Sequence, residues 1–169
     1  MASSLPPIYL YTDGSSSGNP GPGGYGAVLK CLDLEKEISE GFVLTTNNRM
    51  ELLAVIRGLE AIRWEKADVI VTTDSRYVCD AVEKGWVFGW ELKDFQKKKN
   101  QDLWKRFLKI YRKHKVTFKW VKGHAGHPEN ERCDALATAG TALAQTNPEK
   151  ASHDVYFEQN QTVEENGIF

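Results

Sequence analysis

The strongest constraint on the fold is an apolar strand that ends in an acid and then turns back. The run Ile8–Thr12 is rich in β-forming residues, and Asp13 follows it directly. A segment rich in Gly, Ser and Pro comes next, before a second apolar run at Ala27–Leu32. This pattern predicts two strands joined by a tight turn. A carboxylate at the end of a buried strand needs a cation, a hydrogen-bond donor or water, because burying an unpaired charge is costly.

Simpler interpretations of the segment after Asp13 can be tested against its spacing. An Asp-Gly pair is a common hairpin turn, and this alternative stays open for Asp13 and Gly14. An EF-hand loop starting at Asp13 would place Gly24 at the twelfth position, where a bidentate Glu is required, so a calcium loop is excluded. A phosphate-binding loop needs Gly-Lys followed by Ser or Thr, which the sequence lacks.

The apolar periodicity of the chain predicts alternating strands and helices, which is typical of an α/β domain. We expect strands at about 8–13, 24–32, 35–44, 68–73 and 115–121, the first three forming an antiparallel meander. We expect helices at about 48–64, 75–83, 101–113 and 128–144. At 169 residues, the chain is long enough for one domain with its own core.

Two further acids lie at positions where a charged side chain is unexpected and needs a physical explanation. Glu51 shares a helical stripe with Val55 and Ile62, a face that we expect to be buried. Asp74 ends an apolar strand, as Asp13 does. If these two strands are parallel neighbours, both carboxylates emerge at the same edge of the sheet, where open α/β sheets place their sites.

A fourth acid, Asp134, and a loop histidine, His124, complete the candidate site. Taken singly, each acid is more often structural, and a lone loop His is usually a surface residue. If the four carboxylates converge, their repulsion forbids a bare cluster, and hard divalent cations would relieve it. Oxygen ligands without thiolates favour Mg²⁺ or Mn²⁺ over zinc. A histidine beside them is a plausible proton carrier.

Basic residues are concentrated in one part of a chain whose formal net charge is −1. Between Lys84 and Lys122 there are thirteen Lys and Arg residues and only three acids. Such a block is a candidate nucleic-acid surface, and a solvated helix face stays open as the alternative. Within residues 85–100 aromatic side chains alternate with lysines, which indicates either core packing or a surface that follows a nucleic-acid backbone.

Other features of the sequence bear on where the protein works. No apolar run approaches the length of a membrane span, and the N-terminus lacks the pattern of a signal peptide. Cys31, Cys79 and Cys133 are odd in number and far apart, which favours free thiols in a reducing compartment. We therefore expect a cytoplasmic monomer with no membrane partner.

The four acids stand in motifs that resemble the successive signatures of bacterial type 1 ribonuclease H. The motifs are TDGS and GNPGPGGYGA with Asp13, TTNNRMELLA with Glu51, TDSRYV with Asp74, and GHAGHPENERCD with His124 and Asp134. The likeness covers roughly residues 8–144 in the family's order.

The resemblance implies a ribonuclease H-like fold, in which helices flank a five-stranded mixed sheet with strand order 3-2-1-4-5. The ribonuclease H domain would cover residues 1–144, with a basic protrusion at about 85–100. Residues 145–169 lose periodicity and are rich in Asn, Gln and Glu, so we expect a mostly disordered tail with a short ordered piece at Val155–Phe157.

The resemblance also implies an activity and a cofactor. The activity is endonucleolytic cleavage of the RNA strand of RNA–DNA hybrids, leaving 5′-phosphate and 3′-hydroxyl ends. Asp13, Glu51, Asp74 and Asp134 would hold Mg²⁺, or Mn²⁺ in its place, with two ions when substrate is bound, one without it, and Asp13 bridging the pair. His124 would assist proton transfer or product release. Attack by water at a two-metal site explains why no Ser, Cys or Lys nucleophile is needed.

The substrate-binding residues implied by the resemblance form two groups. The first group grips the hybrid near its backbone and minor groove, and comprises Asn19, Thr46, Asn47 and Asn48. The second belongs to the protrusion and lies against the DNA strand: Trp86, Trp90, Lys97, Lys98 and Lys99. The chain departs from the family pattern at Arg76, where an uncharged polar residue is expected, and in its short protrusion.

Three rival functions remain open at the level of sequence. A catalytically silent hybrid-binding module would be expected to lack at least one of the acids. Another nuclease or recombinase on the same sheet, such as a resolvase or integrase, would leave the basic protrusion and the GHAGH loop unexplained. A purely structural α/β domain would leave Glu51 and the acids at the strand ends unexplained.

Overall fold

A computed structural model describes residues 5–160 and contains a five-stranded sheet flanked by helices. The strands are β1 (Ile8–Ser16), β2 (Gly21–Cys31), β3 (Leu34–Thr45), β4 (Asp68–Thr73) and β5 (Lys115–Trp120). The helices are α1 (Asn47–Glu60), α2 (Arg76–Glu83), α3 (Trp86–Leu92), α4 (Gln101–Tyr111), α5 (Pro128–Thr146) and α6 (Val155–Gln159), with a 3₁₀ turn at Pro148–Lys150. None of the helices within the described range is long and apolar enough to cross a membrane.

The sheet is mixed, and its strand order is β3-β2-β1-β4-β5, which confirms the predicted topology. The strands β1, β2 and β3 pair antiparallel, as expected for a meander. The strand β4 joins β1 in parallel, and β5 joins β4 in parallel. Consequently β1 and β4 both end at the same edge of the sheet, because parallel neighbours run in one direction.

Helices cover both faces of the sheet, and the residues of β2 show how. Successive strand residues point to opposite faces. Tyr25 is fully buried, and its hydroxyl accepts a hydrogen bond from Arg57 of α1 at 3.3 Å. Gly24 and Gly26 lie against α5, and a Cβ built on Gly24 would stand 2.6 Å from the carbonyl oxygen of Ala137. Glycine therefore allows α5 to approach the sheet closely on the face opposite α1.

The basic protrusion contains a helix that the sequence did not predict. Residues Trp86–Leu92 form α3, which begins after Gly85, a residue with a positive φ of 75° and no capping side chain. Some of its aromatic side chains face the core and others face solvent, so the sequence lacks the apolar periodicity of a helix. Trp90 packs edge-on against the fully buried Trp104 at 5.7 Å between ring centroids, whereas Trp86 is exposed. Part of the protrusion is thus core packing.

Residues 145–160 differ from the mostly disordered tail that their composition predicts. The helix α5 runs to Thr146, Ser152 forms a bridge with Phe42 of β3, and α6 includes the short piece expected at Val155–Phe157. The rest of the expected tail, residues 161–169, lies outside the described residues.

A buried ion pair explains why this segment is ordered. The carboxylate of Asp154 accepts hydrogen bonds from Arg49 Nε at 2.7 Å and Nη2 at 2.9 Å. It also accepts one from the hydroxyl of Thr45 at 2.7 Å. The Arg49 side chain is only 2% exposed, and Asp102 binds its other edge. Two acids distant in sequence thus neutralise one buried guanidinium.

We predict that Asp154→Ala destabilises the protein by roughly 3 kcal/mol, because the change leaves a buried guanidinium with one of its two partners. The free energy of unfolding, measured by urea denaturation, checks this. Glu158→Ala is the matched control on α6, because the Glu158 carboxylate pairs with the exposed His153. The control should change stability by less than about 0.5 kcal/mol. Equal effects of the two changes would contradict the role assigned to Asp154.

Candidate active site

Three of the four predicted acids meet at one edge of the sheet. Asp13, Glu51 and Asp74 each offer a carboxylate oxygen, and these oxygens lie within 4.8 Å of one another. Asp13 comes from β1, Glu51 from the first turns of α1, and Asp74 from the residue after β4. All three are buried or half-buried, so the cluster is formed by the fold rather than by chance proximity on the surface.

The sheet register and one glycine bring these side chains together. Tyr11 of β1 lies opposite Thr72 of β4, and the parallel register continued by two residues sets Asp13 beside Asp74. The helix α1 comes so close to β1 that a Cβ on Gly14 would stand 2.4 Å from the backbone nitrogen of Glu51. Gly14 also donates its N–H to Asp13 Oδ1 at 2.9 Å, which holds that carboxylate in place.

The environment of the cluster favours protonated carboxyl groups as long as no cation is present. Burial, and then the charge of Asp74, raise the pKa of Asp13 from 3.8 to about 7. Burial, and then the charge of Asp13, raise the pKa of Glu51 well above its ordinary value. Burial also raises the pKa of Asp74. Each shift records the cost of placing like charges together away from water.

The donor set fits a hard divalent cation. Glu51 Oε2 is buried and has no hydrogen-bond partner within residues 5–160, although a buried polar atom normally has one. A cation bound between the three carboxylates would supply the missing partner and cancel their repulsion. Within the described range, no Cys or His belongs to this group, and oxygen ligands favour Mg²⁺ or Mn²⁺.

Asp134 and His124 stand at the border of the cluster. Asp134 is half-buried on α5 and lies outside the 4.8 Å group, but its charge raises the pKa of both Asp13 and Asp74. His124 is exposed in the segment between β5 and α5 and has a positive φ of 55°. Its charge lowers the pKa of Asp74, which places the imidazole within electrostatic range of that carboxylate.

The sequence analysis missed two residues that hold Asp74. The indole N–H of Trp120 donates to the backbone carbonyl of Asp74 at 3.0 Å. A Cβ on Gly123 would stand 2.6 Å from Asp74 Oδ2, so glycine is needed where the segment after β5 passes the carboxylate. The sequence signal that could have indicated Gly123 was its position directly before His124. Nothing in the sequence indicated Trp120.

Arg76, the departure from the family pattern, stacks on the same tryptophan. Its guanidinium carbon lies 3.8 Å from the centroid of the Trp120 ring, and the side chain is 62% exposed. The nearest acid, Asp80, is 4.0 Å away and also pairs with Lys84. Stacking fixes the plane of the guanidinium beside the site and leaves its N–H edges free to donate to phosphate or carboxylate oxygens.

The predicted substrate-binding residues divide into those that share a cavity and those that do not. A cavity of about 560 Å³ is lined by Asn19, Thr46, Asn48, Lys98 and Lys99. Asn47 adjoins it, because its backbone N–H donates to Asn19 Oδ1 at 3.0 Å. Trp86, Trp90 and Lys97 are not among its lining residues.

Comparison with known families and relatives gives a consistent result. The RNase H family model matches residues 6–142. Ribonuclease H from Nitratidesulfovibrio vulgaris (strain DP4) is 56% identical over 137 residues, covering 78% of this chain and 87% of the relative. Ribonuclease H from Shewanella amazonensis is 50% identical over 153 residues, covering 88% and 97% of the two chains.

Solved structures share the fold. LC9-RNase H1, described as a type 1 RNase H with the type 2 active-site motif, superposes with a TM-score of 0.77 at 30% identity and covers 99% of this chain and 86% of its own. LC11-RNase H1, solved in complex with an RNA/DNA hybrid, has a TM-score of 0.63 at 26% identity and covers 82% and 99%.

We predict that Asp13→Asn stabilises the metal-free protein at pH 8 by roughly 1–3 kcal/mol. The folded-state pKa of Asp13, about 7, exceeds its ordinary value of 3.8, so the folded state binds more protons between these values. The free energy of unfolding of the wild type therefore falls as pH rises from about 4 to about 7 and stays low above that range. Asn cannot ionise and escapes this loss.

Urea denaturation in the presence of a chelator, at pH 8 and at pH 3.5, measures the effect. The stabilisation should nearly disappear at pH 3.5, where Asp13 is protonated in the folded state and mostly protonated in the unfolded state. Asp68→Asn, at the exposed opposite end of β4, is the control and should show no such pH-dependent gain. A variant of Asp13 that is less stable than the wild type at pH 8 would contradict the repulsion that we assign to the cluster.

Proposed function

The chain belongs to the ribonuclease H family of hydrolases, and from this premise we propose that it cleaves the RNA strand of RNA–DNA hybrids with two divalent metal ions. The observation that carries this proposal is the meeting of Asp13, Glu51 and Asp74 within 4.8 Å. A binding module that has lost catalysis has no need to keep three repelling acids in a buried cluster. The rival of a silent module is therefore disfavoured.

The four acids divide the work of binding metal in this proposal. Asp13 lies against both Glu51 and Asp74, so these three carboxylates would hold Mg²⁺ together, and Asp134 on α5 would add a fourth carboxylate. Asp13 must lose its proton before a cation binds, which links metal affinity to pH. When bound, two such ions activate water and stabilise the charge on the leaving oxygen of an in-line displacement.

The reaction that we propose is hydrolysis of the bond between phosphorus and the 3′-oxygen. The products are a 5′-phosphate and a 3′-hydroxyl, so the leaving 3′-oxygen must gain a proton. His124 is exposed beside Asp74 and is suited to carry that proton or to assist product release. The hydrogen bond from the Trp120 indole to the backbone carbonyl of Asp74 would hold this residue in position while the substrate binds.

In this proposal, short polar side chains at the start of α1 and in the turn before β2 recognise the hybrid. Asn19, Thr46, Asn47 and Asn48 are suited to reach the minor groove, whose 2′-hydroxyls distinguish RNA from DNA. The lysines Lys97, Lys98 and Lys99, with the aromatic residues Trp86 and Trp90, would follow the DNA strand and give affinity that falls with salt. The working form that we propose is a cytoplasmic monomer.

We predict that Asp13→Asn or Asp74→Asn lowers hybrid cleavage by at least about 10³-fold, because each change removes a charged ligand from the metal site. Hybrid binding should persist, since neither residue belongs to the basic surface. Cleavage of a labelled hybrid in Mg²⁺ and binding by fluorescence anisotropy check the two statements. Asp68→Asn, at the other end of β4, should retain wild-type activity. Full activity in either site variant would refute the metal role.

We predict that Arg76→Gln lowers the salt dependence of hybrid binding by about one unit of slope, because one phosphate contact is lost. The measurement is the slope of log affinity against log salt, in chelator. Arg132→Gln is the matched control, since it removes the same charge from a residue that pairs with Glu35 and Glu37 away from the site. If both variants keep the wild-type slope, Arg76 does not contact the substrate.

A further inference from the structure

The segment after α5, for which the sequence suggested no role, forms one wall of the cavity that contains the predicted substrate-binding residues. This C-terminal wall consists of Tyr156, Phe157 and Asn160, and Lys98 and Lys99 belong to the same cavity of about 560 Å³. The wall lies beyond residue 142, where the match to the RNase H family model ends.

The C-terminal wall is fixed to the fold at two points. Ser152 donates its backbone N–H to the Gly41 carbonyl at 2.7 Å and accepts from the Val43 N–H at 3.1 Å, so the chain is tied to β3. Two residues later, Asp154 is held by Arg49 through the buried ion pair. The Tyr156 ring lies 5.6 Å from the Arg49 guanidinium. A wall anchored in this way is ordered before any ligand binds.

The chemistry of the cavity suits an anion with an extended polar backbone. Its lining residues include three cations, five amide side chains and no carboxylate. The cavity on the other side of the segment differs, because its lining balances three acids, Glu40, Asp102 and Asp154, against three arginines. The acids that neutralise Arg49 therefore line that second cavity and not the first. The excess of cations over acids in the first lining favours phosphate groups there.

We propose that the C-terminal wall binds the sugar–phosphate backbone of the DNA strand of the hybrid, through the Tyr156 hydroxyl and the Asn160 amide. This inference rests on the proposed function. The DNA strand is favoured over the RNA strand because the cavity includes Lys98 and Lys99 of the protrusion and is not lined by Asp13, Glu51 or Asp74, where the RNA strand would be cleaved. The segment therefore extends the binding surface, in addition to its part in stability.

The affinities of Tyr156→Ala, Asn160→Ala, Gln159→Ala and Lys99→Gln for the hybrid test this proposal. Fluorescence anisotropy with chelator present measures binding without any need for cleavage. Tyr156→Ala and Asn160→Ala should each weaken binding roughly 3- to 10-fold, the size of one lost hydrogen bond. Gln159→Ala is the matched control, because Gln159 is exposed on the same helix and does not line the cavity. It should bind like the wild type, and all of these variants should keep the wild-type melting temperature within a few degrees.

The dependence of hybrid affinity on salt concentration distinguishes the loss of this neutral contact from the loss of a positive charge. Tyr156 and Asn160 are neutral and release no counterions, so their variants should lose affinity equally at every salt concentration. Lys99→Gln should instead lower the slope by about 0.9. If Tyr156→Ala and Asn160→Ala bind like the Gln159→Ala control, the proposal is overturned.

A neutral methylphosphonate at single positions of either strand identifies the strand. At one DNA-strand position, the substitution should weaken wild-type binding and abolish the difference between wild type and Asn160→Ala. If the difference between wild type and Asn160→Ala is lost only when the methylphosphonate is in the RNA strand, the strand assignment is overturned. A wild type that binds the hybrid with these couplings but does not cleave it would refute the proposed function and leave this inference intact.

Discussion

Repulsion between three carboxylates at one edge of the sheet is the constraint on which the site depends. Burial raises the pKa values of Asp13, Glu51 and Asp74, and the charges of neighbouring acids raise them further, so the metal-free fold holds these carboxyl groups together at a cost in stability. The parallel pairing of β1 with β4 and the close approach of α1 at Gly14 impose this arrangement. A divalent cation would relieve this repulsion and bind between the carboxylates, because it supplies the positive charge that the cluster lacks.

A second buried charge connects this site to the rest of the chain. Arg49 lies two residues before Glu51, so the two side chains leave α1 in different directions. Arg49 reaches Asp102 at the start of α4 and Asp154 before α6, and thereby joins the protrusion and the C-terminal segment to the helix that carries Glu51. Thr46 caps the start of α1, and the two ion pairs of Arg49 attach this end of the helix to both segments. One helix terminus therefore places Glu51 together with the predicted substrate-binding residues Thr46, Asn47 and Asn48.

Some of this could be predicted from the sequence, and particular residues show where prediction ended. Asp13 and Asp74 were predictable because each ends an apolar strand, and Glu51 because it lies on the stripe that contains Val55. The ion pair between Arg49 and Asp154 was not predictable, since the two residues are 105 positions apart and both types are common on surfaces. The helix α3 was missed because its aromatic residues face both core and solvent and no side chain caps it. Resemblance to a family supplied the strand order, which periodicity alone does not determine.

The central claim is that this carboxylate cluster makes the protein a metal-dependent ribonuclease for hybrids. The most direct measurement uses an RNA–DNA hybrid labelled separately on each strand, with double-stranded RNA and double-stranded DNA as controls, in Mg²⁺ and in chelator. The account predicts internal cuts in the RNA strand of the hybrid alone, only in Mg²⁺, with 5′-phosphate and 3′-hydroxyl ends. Binding of the hybrid without any cut in Mg²⁺, or cleavage of the DNA strand, would contradict it.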